Sequence, residues 1–259
     1  MYPKIMSIIN LLFTFVLASA GIYAQGCTNA SLTGAFGYTL SGTVTNGDGR
    51  LVRSSQVGRI VFDGKGAYTG VAASSLGNTT DVAEFAGQIS IGADCTATAK
   101  TGTGADATDL DMIVVNDGND FSAVVRAGDA TLVGIGTKVE GKGTCSLATL
   151  TGTYGYQGEG VATLNGKSVS TAEIGILTFD GKEGLTGTFS AIGGGQANRQ
   201  SFTGTYALSD ICFGSAAYKV GDATFQMNFM VTNGGNQLLY SESTAGAVTT
   251  GSGARTSFK

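Results

Sequence analysis

Few residues in this chain have the type and spacing that chemistry needs. Asp109 and Asp111 stand two apart, which on a strand puts both carboxylates on one face, where paired carboxyls could share acid/base work. The segment Asn116-Asp117-Gly118-Asn119-Asp120 is rich in oxygen ligands and resembles a small calcium loop. Asp63 and Asp180 each sit in a Phe-Asp-Gly-Lys phrase. Arg53, Arg59, Arg126 and Arg199 are isolated cations, any of which could anchor a ligand carboxylate if it pointed into a cavity. Each feature also has a plainer reading. Where Asp109 and Asp111 stand, the second half of the chain has Gln226 and Asn228, so a solvated outer strand face is expected. Asn233-Gly-Gly-Asn-Gln237 keeps the turn residues of the Asn116 segment without its carboxylates, which favours a hairpin turn over a metal site. An Asp before Gly satisfies itself on the backbone of its own turn. The arginines are expected on the surface.

The chain has 259 residues and no histidine, so His-dependent triads, His-ligated zinc and imidazole acid/base catalysis are excluded. No serine lies in a Gly-x-Ser-x-Gly elbow, and no phosphate loop, dinucleotide fingerprint or EF-hand loop occurs. No cofactor and no metal are expected. The net charge of −4 and the lack of basic-aromatic interleaving argue against nucleic acid as a partner. Charged residues are 13% of the chain, about half the usual share, while apolar residues at 42% suffice for a core. Forty-two glycines against one proline, with many Thr, Ser and Ala, describe short strands joined by tight turns.

Residues 1–24 read as an n-region with Lys4, an apolar run and a small-residue end, the order of a secretory signal peptide. Cleavage is expected after Ala20 or Ala24, which makes the protein secreted, periplasmic or part of the cell envelope. The apolar run is shorter than the roughly 20 residues of a spanning helix, and no later stretch is longer, so no transmembrane segment is expected in the mature chain.

The remaining sequence is written twice. Leu32-Thr-Gly-Ala-Phe-Gly-Tyr38 returns as Leu150-Thr-Gly-Thr-Tyr-Gly-Tyr156, and Phe62-Asp-Gly-Lys65 as Phe179-Asp-Gly-Lys182. Phe85-Ala-Gly87 returns as Phe202-Thr-Gly204, and Gly134 and Gly136 as Gly251 and Gly253. A period of about 117 residues means two tandem domains rather than a solenoid. Their expected extents are 25–143 and 144–259.

Alternation with period two marks the strands, as in Leu32, Gly34, Phe36, Tyr38 and Leu40 against Thr33, Ala35, Gly37 and Thr39. Asn-Gly and Asp-Gly pairs punctuate the runs. In the first unit strands are expected over roughly 31–44, 51–62, 67–75, 82–92, 95–101, 108–116, 120–127 and 130–139. The predicted fold is all-β, two tandem antiparallel β-barrels of about eight strands each, with β-sandwiches as the alternative. Closure is favoured because so few prolines and charges protect an edge. Inward glycines (Gly34, Gly70, Gly87; Gly152, Gly187, Gly204) are expected to let strands coil at barrel corners.

This layout resembles the calycin-type barrels, including lipocalins and the barrel of the allene oxide cyclase and dirigent group. The phrases at 27–38, 62–66 and 85–95 resemble a group of uncharacterised secreted bacterial repeat proteins. The lipocalin Gly-x-Trp signature is absent, since the chain has no Trp, so ligand chemistry does not carry over from that family.

Each unit holds two cysteines, one before its first strand and one at its fifth, so Cys27 is expected to pair with Cys95 and Cys145 with Cys212. The inward set Phe36, Tyr38, Ile60, Phe62, Tyr68, Phe85, Ile89, Met112 and Phe121 would line the first barrel. Eight strands enclose an interior that side chains either fill or leave with one small cavity. Phe189 stands where the first unit has Ala72, so any cavity should be smaller in the second. Three functions fit: an exported non-catalytic barrel binding a small apolar ligand, a structural or adhesive envelope module, or an isomerase or cyclase on a lipid-like substrate. Composition does not fix the oligomeric state.

Overall fold

The computed structural model describes residues 26–77, 79–104, 107–127, 129–140, 144–164, 167–193, 195–244 and 247–256. The signal-peptide reading and both cleavage sites therefore lie outside the described residues, as does the Asn165-Gly166 turn.

The protein is all-β, with two closed antiparallel barrels of eight strands. The first comprises β1 (Thr33–Thr45), β2 (Leu51–Asp63), β3 (Ala67–Leu76), β4 (Thr79–Ile91), β5 (Thr96–Thr101), β6 (Thr108–Val115), β7 (Asp120–Val125) and β8 (Ala130–Lys138). The second comprises β9 (Gly152–Leu164), β10 (Lys167–Phe179), β11 (Gly184–Gly193), β12 (Gln196–Leu208), β13 (Phe213–Val220), β14 (Ala223–Thr232), β15 (Gln237–Thr244) and β16 (Ala247–Arg255). Each strand pairs with its neighbours in sequence, and first pairs with last: Tyr38 opposes Gly136 across β1–β8, and Tyr156 opposes Gly253 across β9–β16.

The repeat extends to backbone detail. Cys95 and Cys212 have φ of 66° and 67°, and Asn116 and Asn233 have 51° and 50°, so each barrel turns its chain through the left-handed region at matching places. Disulfides join Cys27 to Cys95 and Cys145 to Cys212, with Cα–Cα distances of 4.9 and 5.0 Å. Both tie the entry of a barrel to the loop before its fifth strand.

The inward glycines do something other than turn corners. Register places Gly70 opposite Phe85, Gly87 opposite Tyr68, Gly187 opposite Phe202 and Gly204 opposite Tyr218. A Cβ at Gly70, Gly87 or Gly187 would strike the facing ring, and at Gly204 it would strike the Ala217 carbonyl and the Cα and Cβ of Tyr218. Only Gly34 and Gly152 of the six have positive φ, 94° and 126°. An eight-stranded interior is narrow, and the rings fit by lying across bare backbone on the next strand.

The barrels pack side by side. The outer face of β1–β3 meets the outer face of β14–β16, and Val57 and Met230, both 0% exposed, share one apolar cluster with Ala73 and Leu239. Ser55 Oγ and Ser241 Oγ hydrogen bond at 2.7 Å across this contact, as do Thr80 Oγ1 and Ser243 Oγ at 2.7 Å. At Gly37 the second barrel's side chains come close, and a Cβ there would sit 2.5 Å from Cγ2 of Thr232 and 3.1 Å from Cβ of Met230.

Candidate functional site: the barrel interiors

One end of the first barrel is closed. Phe36, Phe62 and Phe121 pack mutually, with ring centroids 5.5, 5.7 and 6.0 Å apart, and Leu32 is buried beneath them. A short 3-10 turn, Asn29–Ser31, crosses this end, and the side chain of Asn29 accepts from the Ile91 amide at 2.9 Å. The other end is roomy, because small residues occupy inward positions there: Ala72, Ala83, Ala99, Ala123 and Ala127. They leave a cavity of about 320 Å³ reaching toward the β1–β2, β3–β4, β5–β6 and β7–β8 turns.

Of the nine residues that sequence places inside, Tyr38, Ile60, Tyr68, Phe85, Met112 and Phe121 line this cavity. Phe36, Phe62 and Ile89 are buried in the same core but form its packed floor rather than the cavity wall. Among the described residues the lining carries no charged side chain, and its polar atoms form short hydrogen-bonded runs. The Tyr38 hydroxyl donates to Oε1 of Gln56 at 2.8 Å, and Nε2 of Gln56 donates to Oγ of Ser74 at 2.7 Å. The Tyr68 hydroxyl and Oγ1 of Thr101 lie 2.7 Å apart. Burial, aided by the nearby Tyr68, pushes the Tyr38 phenol up, and burial does the same to Tyr68, so both stay neutral donors. Each Gln56 amide proton and each hydroxyl proton is a separate donor, so this polar end can still bond an acceptor on a guest.

The second barrel, built on the same plan, is full. Phe189 stands where Ala72 stands in the first, Tyr218 where Thr101 stands, and Tyr240 where Ala123 stands. Only about 20 Å³ remains among Tyr156, Leu177, Phe202, Tyr218 and Tyr240. Two carboxylates share this interior, and sequence reasoning missed both. Glu173 replaces Gln56 of the first barrel, and Glu242 replaces Val125. Tyr240 donates to Oε1 of Glu173 at 2.8 Å, and Tyr218 donates to Oε2 of Glu242. Burial pushes Glu242 up to about 8, with Glu173 adding to the rise, and burial also raises Glu173. Their phase was a readable signal: Glu173, Gly175, Leu177 and Phe179 alternate together, as do Leu238, Tyr240 and Glu242. Glu242 is buried with about 20 Å³ of space beside it, whereas Glu173 is half-buried.

A cation closes the end of each barrel. Arg255 on β16 donates through Nη2 to the carbonyls of Thr149 and Gly235, at 2.8 and 2.9 Å, and to the Tyr154 hydroxyl at 2.8 Å. Lys138, at the matching place on β8, sits 5.9 Å from the Phe36 ring centroid.

The remaining sequence candidates stay apart from either interior. Asp111 forms an exposed ion pair with Arg126 at 2.9 Å. Asn116–Gly118 makes a tight 3-10 turn, with the Asn116 amide donating to Asp120 at 2.7 Å. Asp63 accepts from the amides of Lys65, Gly66 and Ala67, which holds its carboxyl below the usual range, and Asp180 does the same with the next three amides of its own turn. Arg59 lies on the outer wall, where burial lowers its affinity for the proton and Asp210 raises it.

No protein-family model and no curated protein sequence matches the chain. Some solved structures match at low similarity. Transferrin binding protein B, isotype 1, of serogroup B Neisseria meningitidis is 9% identical, with a TM-score of 0.37 over 87% of this chain and 77% of that one. HpuA from Kingella denitrificans, solved in complex with human haemoglobin, is 10% identical, with a TM-score of 0.27 over 74% of this chain and 85% of that one. Likeness at this level bears on neither ligand nor partner.

Proposed function

We propose that the first barrel of this exported protein binds a small, uncharged, mostly apolar molecule that carries a hydrogen-bond acceptor at one end. The observation that carries this reading is the contrast between two barrels of one plan, one with about 320 Å³ of space and one with about 20 Å³. A cavity of that size lies at the lower end of the ~300–1,000 Å³ typical of ligand pockets, which limits the guest to a small molecule. Aromatic and aliphatic walls suit an apolar body. With no charged side chain among the described lining residues, an ionic guest would lose its hydration unrepaid by them. Gln56 and Ser74 would orient the guest's polar end. Export rests on the leader-like sequence at 1–24, and two disulfides fit an oxidising compartment.

The test uses a neutral solvatochromic dye such as Nile red. The protein should bind it with an emission shift, and Ala72→Phe, which copies the second barrel, should abolish the shift while leaving β-type circular dichroism unchanged. Mass spectrometry of an organic extract of the purified protein would identify a natural guest. Equal dye binding by wild type and Ala72→Phe would overturn the reading. A second reading, a structural module of the envelope, draws its support from the outer walls instead.

A further inference from the structure

The contact between the two barrels uses two different faces, and each barrel owns a copy of both. Barrel one contributes β1–β3 and barrel two contributes β14–β16. That leaves two counterparts uncovered: the outer face of β6–β8 on barrel one, and that of β10–β11 on barrel two. Both are apolar. Eight of the eleven large aliphatic residues exposed among the described residues lie on them. Ile113, Val115, Val124, Val133 and Ile135 form the first face, with Val133 55% exposed, and Ile174, Ile176 and Ile192 the second, with Ile174 64% exposed. Strands of a soluble protein usually turn polar residues to water, and an uncovered aliphatic sheet face marks an interaction site.

At several positions these faces match the buried contact, while Ser190 and Ser122 stand where Ala73 and Leu239 do. Ile174 replaces Val57, and Ile113 and Val115 replace Met230 and Thr232. The hydrogen-bonded pair Ser55–Ser241 becomes Ala172 and Val124, a change from polar to apolar on both sides at once. Most telling is Gly155. It repeats Gly37, the glycine that lets Thr232 and Met230 come close, yet a Cβ at Gly155 would meet only Cγ2 of Thr256 at 3.7 Å. Among the described residues beyond its chain neighbours, Thr256 alone comes within 4 Å of that Cβ, so their packing does not call for a glycine. A second chain seated as barrel two seats on barrel one would require it.

We propose that the protein self-associates head to tail: the β10–β11 face of one copy packs against the β6–β8 face of another, repeating the contact that already joins the two barrels. The faces flank one groove of about 640 Å³, with Ile135 on one wall and Ile174 and Ile192 on the other, so they look out on the same side of the molecule. Because the contact is heterologous, the assembly either closes on itself or grows as a chain of barrels.

The test is the mass in solution of the disulfide-bonded protein, by light scattering across a wide concentration range. Wild type should exceed the monomer mass with rising concentration. Ile174→Asp and Val124→Asp, which spoil one face each at exposed positions, should both be monomeric. Mixed together, they should form a one-to-one heterodimer and nothing larger, since each retains the face the other has lost. Ile192→Asp and Val133→Asp repeat the experiment if either first variant misfolds, and Leu51→Asp, on an exposed residue outside both faces, should associate like wild type. A wild type monomeric throughout, variants that still associate, or a mixture that stays monomeric would each overturn the proposal.

Discussion

Tyr218 and Glu242 face each other inside the second barrel, phenol donating to carboxylate, with only about 20 Å³ of space beside them. The pair makes stability a function of pH. Glu242 ionises near 4.5 in an unfolded chain and near 8 in the fold. Between those values the folded protein holds a proton that the unfolded chain has released, so stability falls as pH rises through this window. The slope is at most about 1.4 kcal/mol per pH unit for one such group. Thermal melts should show the second barrel less stable near about pH 9 than near about pH 5, and Glu242→Gln should flatten that difference. A wild-type barrel equally stable at both would show that Glu242 is not shut away from water.

The ring-over-glycine pairing predicts graded costs. At Gly136 a methyl group would push only the Phe121 ring, which borders the cavity and can move into it. At Gly204 it would meet the Ala217 carbonyl and the Tyr218 backbone in a full interior. Gly204→Ala should therefore cost the most an overpacked core usually does, about 3 kcal/mol, and Gly136→Ala about 1 kcal/mol. Denaturant unfolding of both variants measures the difference, and equal costs would contradict the packing described.

Each disulfide closes a loop of 68 or 67 residues. Reduction should lower the melting temperature of both barrels, by the equivalent of about 4 kcal/mol in the loop-entropy estimate, and leave strand content unchanged. Loss of the β signature on reduction would mean that the bonds, rather than the alternation and turns, specify the fold.

Residues 25–143 and 144–259, expressed apart, should each give β-type circular dichroism and a cooperative melt. Separation uncovers Val57 and Ala73 on one half and Met230 and Leu239 on the other, so the halves should also bind each other when mixed. Two unfolded halves would show that neither barrel stands without its neighbour.

Much of this architecture is legible in the sequence, for local reasons. Strand limits follow from period-two alternation broken by Asn-Gly and Asp-Gly turns, and β2, expected at 51–62, runs over Leu51–Asp63. The repeat selects the cysteine pairing. What lies beyond it is non-local. Val57 and Ala73 point outward and read as surface until another barrel covers them. The glycine–aromatic pairs depend on register across strands, which alternation within one strand does not reveal. The Glu173–Glu242 cluster brings together positions 69 residues apart; each is in inward phase on its own strand, but nothing within one strand shows that the two meet.

Closure of each barrel also sets when it can finish folding. β1 must wait for β8, and β9 for β16, across 84 and 82 residues of intervening chain. Until the last strand arrives, the first has an open edge with unpaired amides and carbonyls, the arrangement most prone to pairing with a stranger. A chain crossing a membrane from its N-terminus would therefore complete the first barrel, and hide its edges, while the second was still a string of unjoined hairpins. The order of synthesis becomes the order of protection, and the second barrel is the one exposed to mispairing for want of its final strand.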